Sequence, residues 1–213
     1  MKVTAMTVGV MQENCYLVVD EESQRAVFVD PGAESERLME ELARSDAELD
    51  AIWLTHAHID HVGALAGIRR ASPAPIHMHP LERPLYDRAA DQAAAFGLPF
   101  ESPPPPDQLL SDGQSLRVGK LEFHVLHTPG HAPGLVVIHG HGVAFVGDLL
   151  FAGSIGRTDL PLSDSLKMSE SLERIRTLPA DTTVYPGHGP PTTIARELAT
   201  NPFLNGLARV AGS

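Results

Sequence analysis

Thr55-His56-Ala57-His58-Ile59-Asp60-His61 sets three imidazoles and a carboxylate on one short turn, directly behind the apolar run Ala51-Ile52-Trp53-Leu54. Neutral imidazole and ionised carboxylate are ligands that a borderline cation such as zinc accepts. Four such donors on one turn cannot all face the same cation, so the spacing points to two metals. Further donors are then required from elsewhere, and the fold has to bring distant segments to one place.

Three later segments share the same local grammar, an apolar strand followed by a Gly-bearing turn and a His or Asp. Val125-Leu126-His127-Thr128-Pro129-Gly130-His131 offers His131, Val143-Ala144-Phe145-Val146-Gly147-Asp148 offers Asp148, and Val184-Tyr185-Pro186-Gly187-His188 offers His188. Each candidate ligand stands just past a strand end. Strands side by side present such ends along one rim, where residues distant in sequence converge.

The 213 residues suffice for one substantial core, and 1–213 reads as a single domain. No apolar run approaches the ~20 residues of a membrane span, and no basic-then-apolar signal segment opens the chain, so a cytoplasmic protein without a membrane partner is expected. A net charge of −11, with only three lysines, argues against nucleic acid. Cys15 is the single cysteine, which excludes an internal disulfide and leaves metal binding to nitrogen and oxygen. Its apolar neighbours place it as inert strand interior. Oligomeric state is not legible.

Residues 1–11, 15–20 and 25–30 read as strands, with Glu21 to Gln24 as a polar turn. Leu38 and Leu42 mark a helix, residues 51–55 a strand, and Val62, Leu65 and Ile68 one face of the helix that follows. Leu81, Leu85, Ala89, Ala93 and Phe96 keep near-helical spacing until Gly97. Pro99 and the prolines at 103 to 106 then forbid regular structure, and 99–107 reads as a surface connector, with a lid over the site as the alternative. Segments 116–118, 121–127, 135–139 and 143–146 form a meander. Ser163 is the expected N-cap of a helix carrying Met168, Leu172 and Ile175 before Pro179, a last strand reaches His188, and a short helix begins near Thr193. Strands then helix, twice over, implies two stacked sheets with helices outside each. Asp30 closes its strand either as an acceptor that orients a ligand imidazole or as turn chemistry with Pro31-Gly32. His77, His79, His124, His127, His139 and His141 read as structural.

The chain resembles the metallo-β-lactamase superfamily, whose His-x-His-x-Asp-His signature followed by His, Asp and His is matched in order. Gln12 to Tyr16, Phe28 to Gly32, Gly147 to Phe151 and Gly156 to Pro161 look like the glyoxalase II branch. Pro186 to Thr193 and Asn201 to Leu204 are most similar to its short, single-domain bacterial form. The resemblance implies an α+β protein with the four-layer αββα sandwich of the metallo-β-lactamase fold. It implies two divalent metal ions, zinc first and iron or manganese as other candidates. His56, His58 and His131 would hold one, Asp60, His61 and His188 the other, and Asp148 would bridge them. Arg157 matches a basic position that touches substrate in that branch, with a surface salt bridge as the bland reading.

The function so implied is hydrolysis of a small-molecule thioester, S-lactoylglutathione or a related acyl-thiol, by a hydroxide bridging the two metals. Asp60 would guide the proton. A thiolate leaves without prior protonation, whereas an amine does not, and the chain shows no dedicated acid beyond the ligands. Three alternatives stay open: a mononuclear iron persulfide dioxygenase using His56, His131 and Asp148, a lactone or β-lactam hydrolase, and a non-catalytic metal-binding module.

Overall fold

Period-two burial on both faces of the central strands decides the architecture. A computed structural model describes residues 1–210 and 212. β1 (Lys2–Val8), β2 (Glu13–Asp20) and β3 (Arg25–Val29) form an antiparallel meander, and α1 (Ser35–Arg44) leads to β4 (Glu48–Trp53), parallel to β3. Two short helices, α2 (Ile59–Val62) and α3 (Leu65–Ala71), precede β5 (Ile76–Met78). A 3-10 turn (Pro80–Glu82), α4 (Arg83–Tyr86) and α5 (Ala89–Ala95) then lead to β6 (Gln108–Leu109), which completes a six-stranded sheet in sequence order.

The second sheet is the meander β7 (Ser115–Val118), β8 (Leu121–His127), β9 (Val136–Gly140) and β10 (Val143–Gly147), followed by a small hairpin of β11 (Leu150–Phe151) and β12 (Ser154–Ile155). After α6 (Ser165–Ile175), β13 (Thr183–Pro186) pairs parallel to β10. β14 (Thr192–Thr193) forms the edge and α7 (Ile194–Thr200) follows.

Alternate residues of β2 to β4 enter two different cores. Tyr16, Val18, Val27, Val29, Ala51 and Trp53 face Phe123, Val125, Ile138 and Phe145 of the other sheet. Trp53 meets Phe123 edge-on at 5.5 Å, and Tyr16 meets Phe145 at 5.4 Å. The intervening Leu17, Phe28 and Ile52 pack with Leu38 and Leu42 of α1 and Leu65 and Ile68 of α3, while Ala144 and Val146 lie in the same outer cluster as Met168, Leu172 and Ile175 of α6. Each buried Val, Leu, Ile, Phe or Met among them stabilises by about 1.5–3 kcal/mol. Helix, sheet, sheet, helix is therefore the αββα sandwich expected from the sequence. Among the described residues no helix is long and apolar enough to cross a membrane.

Several boundaries differ from expectation, each for a local reason. The first strand ends at Val8 because Gly9 and Gln12 turn with positive φ, and the last ends at Pro186, short of His188. The helix after the His cluster is two pieces, because the backbone at Gly63 packs directly on Gly32. The 81–96 stretch is broken into the 3-10 turn, α4 and α5, with Leu81 and Phe96 exposed, since Pro84 interrupts it. Residues 99–107 carry no regular structure.

Asp164, not Ser163, caps α6. Its Oδ1 accepts the Leu166 and Lys167 N–H groups, both at 3.0 Å, whereas the Ser163 hydroxyl donates to Leu160 O. Asp164→Ala should lower the unfolding free energy by about 1 kcal/mol and Ser163→Ala by clearly less. Equal losses in urea melts of the two variants would contradict the assignment.

Candidate metal centre

Parallel pairing places strand ends on one rim. β3 and β4 run side by side, so Asp30 and Thr55 emerge together, and the Thr55 N–H donates to Asp30 Oδ1 at 2.7 Å. β10 and β13 do the same in the other sheet, bringing out Gly147-Asp148 and Gly187-His188, with the Gly187 N–H donating to Gly147 O. His131 arrives on the loop between β8 and β9. His56 and His58 sit on extended chain after β4, and the single turn of α2 aims Asp60 and His61 inward.

All seven histidine and aspartate residues singled out in the sequence converge. His56, His58 and His131 offer ligand atoms within 4.8 Å of one another, and so do Asp60, His61 and His188. Asp148 lies between the two groups. Its Oδ1 is 3.5 Å from His61 Nε2, and its Oδ2 is 3.5 Å from His131 Nε2 and 3.7 Å from His188 Nε2. Gly187 makes room for it, since a Cβ there would stand 2.2 Å from Asp148 Oδ1. His56 and His61 are wholly buried, while the His188 side chain is 29% exposed, so the group opens on one side.

Hydrogen bonds set which ring nitrogen is free. Asp30 Oδ2 accepts the Thr55 hydroxyl at 2.5 Å and His61 Nδ1–H at 3.0 Å, and Thr55 Oγ1 in turn faces His56 Nδ1 at 3.1 Å. His131 Nδ1–H donates to Arg157 O at 2.9 Å. With Nδ1 committed, the Nε2 atoms of His56 and His61 point inward, and both, with Asp148 Oδ1, are buried without any hydrogen-bond partner. Unpaired buried polar atoms are costly. Several acceptors orphaned around a shared space are what a cation would satisfy, so the residues fit a two-cation site. Asp30, His56 and His61 also lie close enough to form a group, but Asp30 already accepts three donors.

The electrostatics divide the imidazoles. Burial holds His56 far below its ordinary pKa, and burial with the neighbouring His131 brings His58 down to about 3, so both are neutral. Burial lowers His131 as well. His61 and His188 are also opposed by burial, but the carboxylates outweigh it and raise both: Asp60, Asp148 and Asp30 for His61, Asp60 and Asp148 for His188. Burial likewise works against Asp60, yet His61 and His188 hold it below the usual carboxylate range, and its Oδ2 lies 3.1 Å from His188 Nε2.

Other sequence candidates fall outside the cluster. The Arg157 side chain is exposed and paired with Asp159, and only its carbonyl reaches the site. His127 stacks on His79 at 4.2 Å. Cys15 is buried in β2, where desolvation pushes its thiol up.

Four residues with clear structural parts escaped the sequence reading. Asn14 Nδ2 donates to Pro186 O and Gly189 O, and the Tyr16 hydroxyl donates to Pro186 O at 2.6 Å, so β2 grips the turn that bears His188. Glu13 is buried 3.9 Å from His61 Nδ1, with both oxygens unpartnered and its carboxyl raised by desolvation. Glu82 is buried among backbone N–H groups, and desolvation pushes its carboxyl up to about 7 against their pull. The likeness over Gln12 to Tyr16 signalled that segment without assigning parts, and nothing local signalled Glu82.

Comparison with known proteins agrees with this geometry. The sequence model of the metallo-beta-lactamase superfamily matches residues 8–188. GloC of Haemophilus influenzae, a hydroxyacylglutathione hydrolase, is 38% identical over 211 residues, spanning 96% of this chain and 99% of its own. The crystal structure of the B3 metallo-beta-lactamase BLEG-1 is 40% identical with a TM-score of 0.90, covering 96% of this chain and 100% of that one. TTHA1623, crystallised in a di-iron-bound form, is 46% identical with a TM-score of 0.88, covering 95% and 100%.

The raised pKa values of His61 and His188 give the cluster a measurable signature. Each must lose any proton before its nitrogen can ligate, so adding a divalent cation to the metal-free protein near pH 7 should release protons, and affinity should fall with pH. Calorimetric titrations in buffers of different ionisation enthalpy read this directly. Identical heats in all buffers would contradict it.

Proposed function

The chain belongs to the metallo-beta-lactamase superfamily, and on that premise we propose that it is a metal-dependent hydrolase of thioesters, acting on S-lactoylglutathione or a related acyl-thiol. The observation that carries this reading is the pair of His/Asp groups joined by Asp148, with inward ring nitrogens and Asp148 Oδ1 left unpartnered. The similarity to GloC supports the substrate class, and the di-iron form of TTHA1623 supports two cations. An all-nitrogen and oxygen donor set accepts zinc, iron or manganese. Two cations held here would supply the acidity that makes water nucleophilic and polarises a carbonyl at neutral pH.

The chain's own residues contribute the rest. Asp148 faces both groups, Oδ1 toward His61 and Oδ2 toward His131 and His188, and its charge offsets the repulsion of two like charges. Asp60, ionised and partly open to solvent, is the acceptor for the proton of the attacking water at its Oδ2. With His61 and His188 as ligands, the proton that Asp60 takes from water is the one the site has to offer a leaving amine, whereas a thiolate leaves without any.

Beside Asp60 lies a cleft of about 300 Å³ lined by Val8, Met11, Ile59, Leu98 and Phe100 among others. Its lining includes Glu34 and Asp60 but no Lys or Arg, which suits the uncharged acyl end of a substrate. Arg157, at the rim on the loop that buttresses His131, is the cation available to an anionic thiol carrier once it exchanges from Asp159.

Elemental analysis on one preparation, joined to assays of S-lactoylglutathione hydrolysis and of oxygen uptake with glutathione persulfide, tests the reading. About two metal equivalents with hydrolysis are expected. One iron with oxygen consumption would assign a dioxygenase instead, and metal without turnover a binding module. Asp148→Asn should lower bound metal and cut kcat/KM by about a hundredfold or more. Unchanged values would remove Asp148 from its place between the two groups.

A further inference from the structure

The loop bearing His56 and His58 comes from one sheet and the loop bearing His131 from the other. At their base the Val136 N–H donates to Thr55 O at 2.9 Å. Beyond that bond the two backbones stop being complementary, because Ala57 and Gly134 both present N–H groups to the space between them. Two donors cannot pair. Both need an acceptor, and a buried N–H without one is costly.

Glu82 supplies both acceptors. Its Oε2 accepts the Ala57 N–H and its Oε1 the Gly134 N–H, each at 2.6 Å, and the residue is wholly buried. The 3-10 turn that delivers it is fixed by His79, whose carbonyl accepts the Glu82 N–H at 3.0 Å and whose Nδ1 accepts the Leu81 N–H at 3.3 Å. Gly134 permits the close approach, since a Cβ there would stand 2.9 Å from Glu82 N, 3.0 Å from Glu82 Cγ and 2.7 Å from His79 Nδ1.

Ala57 lies between His56 and His58, and Gly134 three residues beyond His131. We propose that Glu82 is a positioning residue: its carboxylate clamps the two loops and so fixes the separation at which His58 Nδ1 and His131 Nε2 meet, 2.9 Å apart. The clamp acts on the His56, His58 and His131 group. The group of Asp60, His61 and His188 has supports that do not pass through Glu82, in Asp30, Asn14 and Tyr16. The inference rests on the two-cation reading above and adds an asymmetry to it: loss of Glu82 weakens one half of the centre and leaves the other.

The test titrates metal-free protein with cobalt(II), followed by visible absorption, for the wild type and Glu82→Gln. The amide keeps the shape and one acceptor but turns its own N–H toward a backbone N–H. The wild type should bind two equivalents. In Glu82→Gln one of them should weaken by about tenfold or more and change its absorption band, while the other keeps its affinity. Two equivalents at wild-type affinity with an unchanged spectrum would overturn the proposal, and so would equal weakening of both, which marks a general loss of structure. A wild type that binds fewer than two equivalents refutes the two-cation reading instead, so the two failures are distinguishable. If Glu82→Gln shows no cooperative melt without metal, Gly134→Ala carries the same test, since its Cβ crowds Glu82 N and Cγ and so displaces the clamp without altering any charge. Selective weakening is again expected, and wild-type binding overturns the clamp.

Discussion

One carboxylate, Asp30, ties the strand ends to the imidazoles. It stands at the end of β3 with φ of 49°, a left-handed conformation that Asp tolerates better than most residues. From there it accepts the Thr55 N–H and hydroxyl and His61 Nδ1–H. The register of β3 against β4 is thereby transmitted to the tautomer of His61 and, through Thr55, to His56. Of the alternatives left open by the sequence, the side chain takes the part of the acceptor that orients an imidazole, and its hydrogen bonds go to Thr55 and His61.

The centre is built at the expense of local stability. Burying His56 Nε2, the Glu13 carboxyl oxygens and Asp148 Oδ1 without hydrogen-bond partners is unfavourable, and the two aromatic and aliphatic cores on either face of the sheets offset it. The carboxylates are arranged asymmetrically. Asp60 and Asp148 raise His61 and His188, while His56 and His58 sit among other imidazoles and stay neutral. One half is thus neutral and preformed, and the other carries charge that a cation would displace, in keeping with the proposed function.

Legibility followed range of interaction. The strand segments around Leu17, Phe28 and Ile52, the helices of Leu38 and Met168, and the rim position of each His and Asp were readable because each depends on neighbours within a few residues. The cap at Asp164 and the break at Gly63 were not, since the first turns on which of two adjacent polar side chains reaches the free N–H groups and the second on backbone packed against Gly32, whereas the split of 81–96 has a local mark in Pro84. Asn14 and Tyr16 carried a family likeness without a stated part, and their acceptors lie about 170 residues away. Glu82 carried no signal, because its partners are backbone groups in two distant loops.

The sequence alone determined which donors exist and that each follows a strand: three His and an Asp after Leu54, and single donors at His131, Asp148 and His188. Those facts are local, a matter of hydropathy period and turn residues. Tertiary structure decided which imidazole faces which carboxylate, and which buried acids stand behind them. That decision depends on the parallel pairing of β3 with β4 and of β10 with β13, on the stacking of the two sheets, and on loops that meet donor to donor. None of these is a property of any single segment, because each exists only once chain elements far apart are brought into contact.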